Sequence, residues 1–465
     1  MLNTRQTNVL LGSMLALQMI WLFAKGKIGA VAHQENAMRL FYLTLPLGSL
    51  IIVWPFLFGR LANRLSHRLV GILHAKGWYK VELYTVLFLA GIAIVDQLLI
   101  PLVMKGPDEV LLIKAAQIVV ECGPVYFFEH YTEVNWLGKQ HPPLPVLSIA
   151  YASPLFGGAL FLASRTLASL LGLGIAGCTF WIAKQLYGKR VALFAVVLLY
   201  ALRKFFVYHV ISGNDVYVTF FFTLTVLLLL RMRAVKYNPM YKLLGLAAAT
   251  GFAMSLGFLS KYTMAFSFVM PLAVLLWPFR PPGLAIAPGK IWLNGLLWVV
   301  ISVTALPWLI GWFYFLYEYD YLQYQFRFLA TYLHTDVEWR SATNTVTVKE
   351  SDYASYWRLK FTLMAIIRKI PTAIGLYHLP LIGLGLWSWS SSKQPVWSDR
   401  FIGFWLAAVF IPVLIMLPVD RYFMPAFPAL AMMMAAGIDS WVEKPTRVLG
   451  LALFFSISSM LIYVC

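Results

Sequence analysis

Two adjacent acids open a polar stretch of an otherwise apolar chain, in the order Gly106-Pro107-Asp108-Glu109. A carboxylate at the mouth of a membrane bundle can take the proton of a hydroxyl beside a bound anionic lipid. Successive side chains on a helix diverge by about 100°, so only one of the pair can face a given partner. Asp108 is the candidate base, while Glu109 orients a loop or binds a cation. Further along stand Gln140-His141-Pro142-Pro143-Leu144, Phe156-Gly157 and Arg165-Thr166-Leu167-Ala168-Ser169-Leu170-Leu171-Gly172. Then come Gly213-Asn214-Asp215, Gly257-Phe258-Leu259-Ser260-Lys261-Tyr262 and Arg421-Tyr422-Phe423-Met424-Pro425-Ala426-Phe427-Pro428-Ala429-Leu430.

The elements that must position these residues are membrane helices. The chain has 465 residues, 61% of them apolar and only 12% charged, against roughly 45–50% and 25% in soluble domains. So few charges cannot cover a soluble surface, which excludes a disordered chain, a nucleic-acid-binding domain and a disulfide-stapled secreted fold. Cys122, Cys178 and Cys465 form no metal or disulfide pattern. Apolar runs long enough to span a bilayer centre near Leu15, Ile51, Ala90, Gly174, Leu199, Thr223, Ala249, Val269, Ile301, Leu381, Ala407, Ala431 and Phe455, about 13 spans in an all-α polytopic fold. The first reads as an uncleaved signal anchor. Between the acid pair and the prolines, the apolar spacing of Val110–Val120 predicts an amphipathic helix lying on the membrane surface.

The net charge of +18 marks cytoplasmic loops by the positive-inside rule. Arg60–Lys80, Lys184–Arg190, Arg231–Lys242, Arg280–Lys290, Lys393–Arg400 and Glu443–Arg447 alternate with outer loops without a break in the count. The N-terminus is then cytoplasmic and the C-terminus outside. Two long outer segments, 105–165 and 317–369, hold Asp108, Glu109, Glu121, Glu129, Glu133, Glu318, Asp320, Asp336, Glu338, Glu350 and Asp352, eleven of the 19 acids. A channel or carrier would place such groups at mid-membrane. Acids gathered at one face suit an enzyme whose site opens to the exterior of an inner (plasma) membrane. Three parts follow: residues 1–82 with two spans and a basic loop, a catalytic core over 83–440, and a last span in 441–465.

In this order and at these depths, the motifs resemble the GT-C membrane glycosyltransferases of the protein O-mannosyltransferase and lipid A aminoarabinose transferase type. The resemblance runs from about residue 83 to 440. It implies an enzyme of the cell envelope that takes a sugar from a polyprenyl-phosphate-linked donor and passes it to a glycolipid, glycan or protein on the extracytoplasmic side. It makes Asp108, Glu109 and Asp215 the catalytic acids, and Lys261, Arg421, Arg165 and His141 the groups that bind donor phosphate. The leaving lipid phosphate departs with its charge, so cations should stabilise it. The family's aminoarabinose branch often has Glu-Lys before Pro-Pro, and that Glu can help hold a metal. This chain has Gln140-His141. A neutral amide is a poor ligand for a divalent metal ion, although His141 could still bind one, so the cofactor is left unknown. Partners are the lipid-linked donor, the bilayer and the acceptor, with no nucleic acid.

Each residue has a plainer reading. Asp108 and Glu109 suit a helix first turn, Asp215 an N-cap, and Lys261 and Arg421 snorkelling anchors. His141 reads equally as an inert pre-proline residue, Asp96 as a polar contact between helices, Trp312–Tyr332 as an interfacial belt and Met432–Met434 as packing. The alternative function is a polytopic transporter or lipid flippase. An apparent lack of internal repeats counts against it.

Overall fold

The computed structural model describes residues 80–99, 106–131, 141–211, 213–234, 240–276, 291–319, 369–375, 378–391, 397–415 and 420–441, with the single residues 134, 322 and 366. The spans expected near Leu15, Ile51 and Phe455, Gln140 and nearly all of 320–368 lie outside them. Among the described residues the chain is helical, with no strand. The elements used below are α1 (Lys80–Leu99), α2 (Pro107–Glu129), α3 (Leu144–Ala152), α4 (Leu160–Tyr187), α5 (Lys189–Ala201), α6 (Arg203–Tyr208), α7 (Asn214–Ala234) and α8 (Met240–Phe258), followed by α9 (Ile291–Glu318), α10 (Leu379–Ser391), α11 (Trp397–Ile415) and α12 (Phe427–Trp441). Seven helices among the described residues are long and apolar enough to cross a membrane.

A helix that is apolar all round belongs in the centre of a bundle or against lipid, and both cases occur. The span ending in α12 is 83% buried and that of α7 is 67% buried, and they form the core. α9 is the most apolar span yet only 22% buried. It turns Trp292, Val299, Val303 and Ile310 outward, the surface a lipid chain would cover. α8 meets α9 at Gly251, where a Cβ would lie 2.3 Å from the Ile301 carbonyl oxygen. Only glycine permits that approach, as in small-residue crossings of membrane helices.

Three expectations are modified. The helix expected over Val110–Val120 extends to the whole of α2, which is one of the seven helices long and apolar enough to cross a membrane, with Glu109, Leu112, Ala115, Ala116 and Val119 buried along one stripe against the bundle. Gly123, at φ 88°, breaks α2 just before Pro124. The run centred on Leu199 is divided at Leu202, whose extended backbone separates α5 from α6. The run centred on Val269 winds as a 3₁₀ segment Tyr262–Phe268, one α turn and a π segment Leu272–Leu276.

At one end of the bundle, Tyr187 donates to Asp399 and Arg190 pairs with Asp439, close to the Lys184–Arg190 basic segment. At the other end the start of α2, the start of α7, the chain just past α8 and the 3₁₀ turn Asp420–Ala426 converge. Asp108, Asp215, Lys261 and Arg421 meet there.

Candidate active site

The first turn of α2 separates its two acids. The Glu109 carboxylate accepts the Gly106 N–H at 3.3 Å, which satisfies one of the unpaired donors of a helix start. It also turns inward and takes Arg165 of α4 in a two-point grip, Nε to Oε1 at 2.8 Å and Nη2 to Oε2 at 2.9 Å. Neither side chain is exposed at all, and the guanidinium lies 4.3 Å over the Phe161 ring. A bidentate fork of this kind is strong and directional, and it keeps Glu109 occupied. Asp108, rotated by one residue, points the other way and pairs with Arg421.

Asp215 is the second residue of α7 and lies buried. Its Oδ1 accepts from Lys261 Nζ at 2.7 Å, and its Oδ2 stands 3.5 Å from Arg421 Nε. Arg421 therefore bridges Asp108 and Asp215, which open different helices. Lys261 leaves the end of α8 in extended backbone, φ −167° and ψ 140°, and this aims its chain across to α7. The ammonium also lies 3.9 Å over the Tyr422 ring. Two carboxylates and two cations thus form one electrically balanced cluster, and its Asp108–Arg421 side is about one-fifth exposed.

His141 is held beside the cluster from two directions. Its carbonyl accepts from the Tyr131 hydroxyl at 2.9 Å, and the Leu144 N–H donates to the Leu259 carbonyl at 3.1 Å. The second bond ties the Pro142-Pro143 loop to the chain just before Lys261. Burial, and after it the charges of Lys261 and Arg421, hold the imidazole well below its usual pKa, so at neutral pH it is an uncharged hydrogen-bonding group. Among the described residues no three His, Cys, Asp or Glu side chains converge as metal ligands. The two cations beside His141 also oppose a dication at that ring.

An apolar cavity of about 970 Å³ begins four residues beyond Lys261. The 3₁₀ segment, the α turn and the π segment form one wall through Ala265, Phe266, Val269 and Leu272, and α11 forms the other, ending at Ile411 and Pro412. Four residues of chain thus separate Lys261 from the first residue that lines the apolar groove.

The structure therefore brings together Asp108, Asp215, Lys261 and Arg421, with His141 adjacent, and places Glu109 and Arg165 in a separate buried pair. Tyr422, against the Lys261 ammonium, and Tyr131, which holds the His141 loop, were not singled out in the sequence. The Arg-Tyr pairing at 421–422 was the available signal for the first. Nothing local marks the second.

Residues 140–308 match the family model for dolichyl-phosphate-mannose-protein mannosyltransferase, a segment that holds His141, Arg165, Asp215 and Lys261. None of the curated proteins matches the sequence. The structure is similar to the crystal structure of ArnT from Cupriavidus metallidurans in the apo state, with a TM-score of 0.51, 18% identity and coverage of 79% of this chain and 62% of that one. It is equally similar to the same protein bound to undecaprenyl phosphate, with a TM-score of 0.52, 17% identity and coverage of 78% and 60%. The chain thus spans about three-fifths of the length of these solved structures. It is an integral membrane protein with the GT-C fold.

Proposed function

We propose that this protein is a polyprenyl-phosphate-sugar-dependent glycosyltransferase. The observation that carries the reading is the balanced cluster of Asp108, Asp215, Lys261 and Arg421, with an apolar groove whose lining begins four residues beyond Lys261. The donor's phosphate takes Lys261 and Arg421, and its prenyl tail lies in the groove. The matched family model is named for a dolichyl-phosphate sugar, and one similar structure carries undecaprenyl phosphate. Both names support a donor of this class.

In the donor-free protein both carboxylates occupy the cations that the phosphate needs. When Arg421 turns to the phosphate, Asp108 becomes a free carboxylate beside the anomeric carbon. The acceptor hydroxyl then attacks that carbon with inversion. Its proton passes to Asp108, and the bond from carbon to phosphate oxygen breaks. The phosphodiester carried one negative charge and the departing lipid phosphate carries two. The cations are therefore worth more at the transition state than in the ground state, the condition for catalysis. Asp215 keeps Lys261 in place and faces the acceptor side.

We place the site on the extracytoplasmic face of the inner membrane, because the basic segment Lys184–Arg190 lies at the opposite end of the bundle. The acceptor is a glycolipid, glycan or protein, selected in part by the segment 317–369. Purified protein is incubated with a panel of polyprenyl-phosphate sugars, and released polyprenyl phosphate is measured. Folded protein that releases none from any donor would end this reading.

A further inference from the structure

A second polar cluster lies buried outside the site. His209 Nε2 stands 2.8 Å from Asp96 Oδ1, and the Ser169 hydroxyl donates to Asp96 Oδ2 at 2.5 Å. His209 Nδ1 faces the Phe206 carbonyl at 2.6 Å, so that nitrogen carries a proton. All three side chains are at most 2% exposed. The ring is boxed by Phe205, stacked at 5.9 Å, and by the edge of Tyr200 at 5.1 Å.

The position of this cluster is informative. A Cβ on Gly172 of α4 would lie 2.9 Å from His209 Cβ, so α4 meets His209 as closely as a glycine allows. Two residues later, Ile211 packs on Gly106, where a Cβ would stand 3.0 Å from Ile211 Cγ2. Gly106 is the N-cap of the helix that presents Asp108. Six residues after His209 comes Asp215. Ile211 therefore packs on the start of α2 while His209, a few residues before α7, is anchored to α1 and α4. Apolar residues of similar volume commonly replace a buried ion pair at no loss of stability. What the polar pair adds is direction.

We propose that His209, held by Asp96 and Ser169, is a positioning residue: it fixes the turn that sets the spacing between Asp108 and Asp215. The inference rests on the glycosyltransferase reading, because the spacing matters for proton transfer at a sugar. A misplacement of about 1 Å can cost on the order of 100-fold in rate, whereas Lys261 and Arg421, on other elements, still bind phosphate.

The test uses Asp96→Leu/His209→Phe, which removes the polar link and keeps the volume. Asp96→Asn serves as the conservative rescue, since its amide can donate to Nε2 and accept from Ser169. Three readouts are taken: kcat against KM for the donor, Tm, and the rate of disulfide formation between cysteines introduced as Gly106→Cys and Ile211→Cys in a background lacking Cys122, Cys178 and Cys465. The double variant is expected to lose roughly 10- to 100-fold in kcat, with KM within twofold and Tm within a few degrees. Cross-linking should slow, and Asp96→Asn should restore both rate and cross-linking. An unchanged kcat overturns the proposal, whether or not cross-linking slows. A fall in kcat together with a rise in KM and a collapse of Tm assigns the cluster to stability alone and overturns it as well. If the parent transfers no sugar, the glycosyltransferase reading fails on its own. The cross-link arm then still reports whether the pair sets the turn: slowed cross-linking upholds the structural half, and unchanged cross-linking rejects it.

Discussion

Replacing Asp108 by Asn removes one charge and almost no volume, so it separates the base from the anchor. General-base catalysis contributes typically 10²–10⁴-fold, or about 3–5 kcal/mol at about 1.4 kcal/mol per tenfold. Asp108→Asn should lower kcat by that factor. The structure adds an effect of opposite sign on binding, because Asp108 is paired with Arg421, a group the donor phosphate needs. The pair keeps 22–23% of its side chains exposed, and pairs open to water are worth about 0.2–1 kcal/mol. Without that competitor, KM for the donor should fall by up to about fivefold, since 1 kcal/mol is a factor of about 5. kcat/KM should therefore fall less than kcat. The assay is release of polyprenyl phosphate by purified protein at saturating acceptor, across a range of donor concentrations. A kcat within a few-fold of the parent, with Tm retained, would refute Asp108 as base. An unchanged kcat with a raised KM would instead make it only a support for Arg421.

Three further outcomes are expected. Lys261→Ala and Arg421→Ala should each raise KM for the donor about tenfold or more, the worth of one hydrogen bond to a charged group at about 1.5–3 kcal/mol. Binding of the product polyprenyl phosphate, measured by calorimetry, should weaken in parallel, and unchanged binding in both variants would remove these cations from the phosphate site. Glu109→Gln should act on stability rather than chemistry. It leaves Arg165 charged and fully buried, a loss of about 3–5 kcal/mol in broken buried pairs, read as a fall in Tm with kcat per folded molecule largely kept. A cysteine at position 350 should react with an impermeant thiol reagent outside intact cells and one at position 236 should not, and the reverse labelling would put the site on the cytoplasmic face.

Much of the fold is legible in the sequence, because membrane spans are specified by local composition. Apolar runs of about 20 residues satisfy their backbone groups only as helices in lipid, so the helices around Thr223, Ala249, Ile301 and Ala431 follow directly. The break after Lys261 is hidden in largely apolar sequence, and Arg203-Lys204 beside the break at Leu202 do not by themselves mark one. Each depends on neighbours that take up the freed backbone groups, and hydropathy does not record neighbours.

The candidate site divides along the same line. The sequence by itself determined which residue types could act and that they lie near helix ends, since charged side chains in so apolar a chain are few and are driven to its boundaries. It could not decide how they pair. Arg165 looked like one more cation for the donor phosphate, yet it is committed to Glu109, 56 residues away in sequence. Arg421 reaches Asp108 across 313 residues. Asp108 and Glu109 are neighbours with the same chemistry, and only the rotation of α2 about its axis gives one to the buried arginine and the other to the open cluster. That rotation is set by the stripe of Leu112, Ala115, Ala116 and Val119 seated on the bundle. Which acid stands in the open cluster is therefore a consequence of tertiary packing.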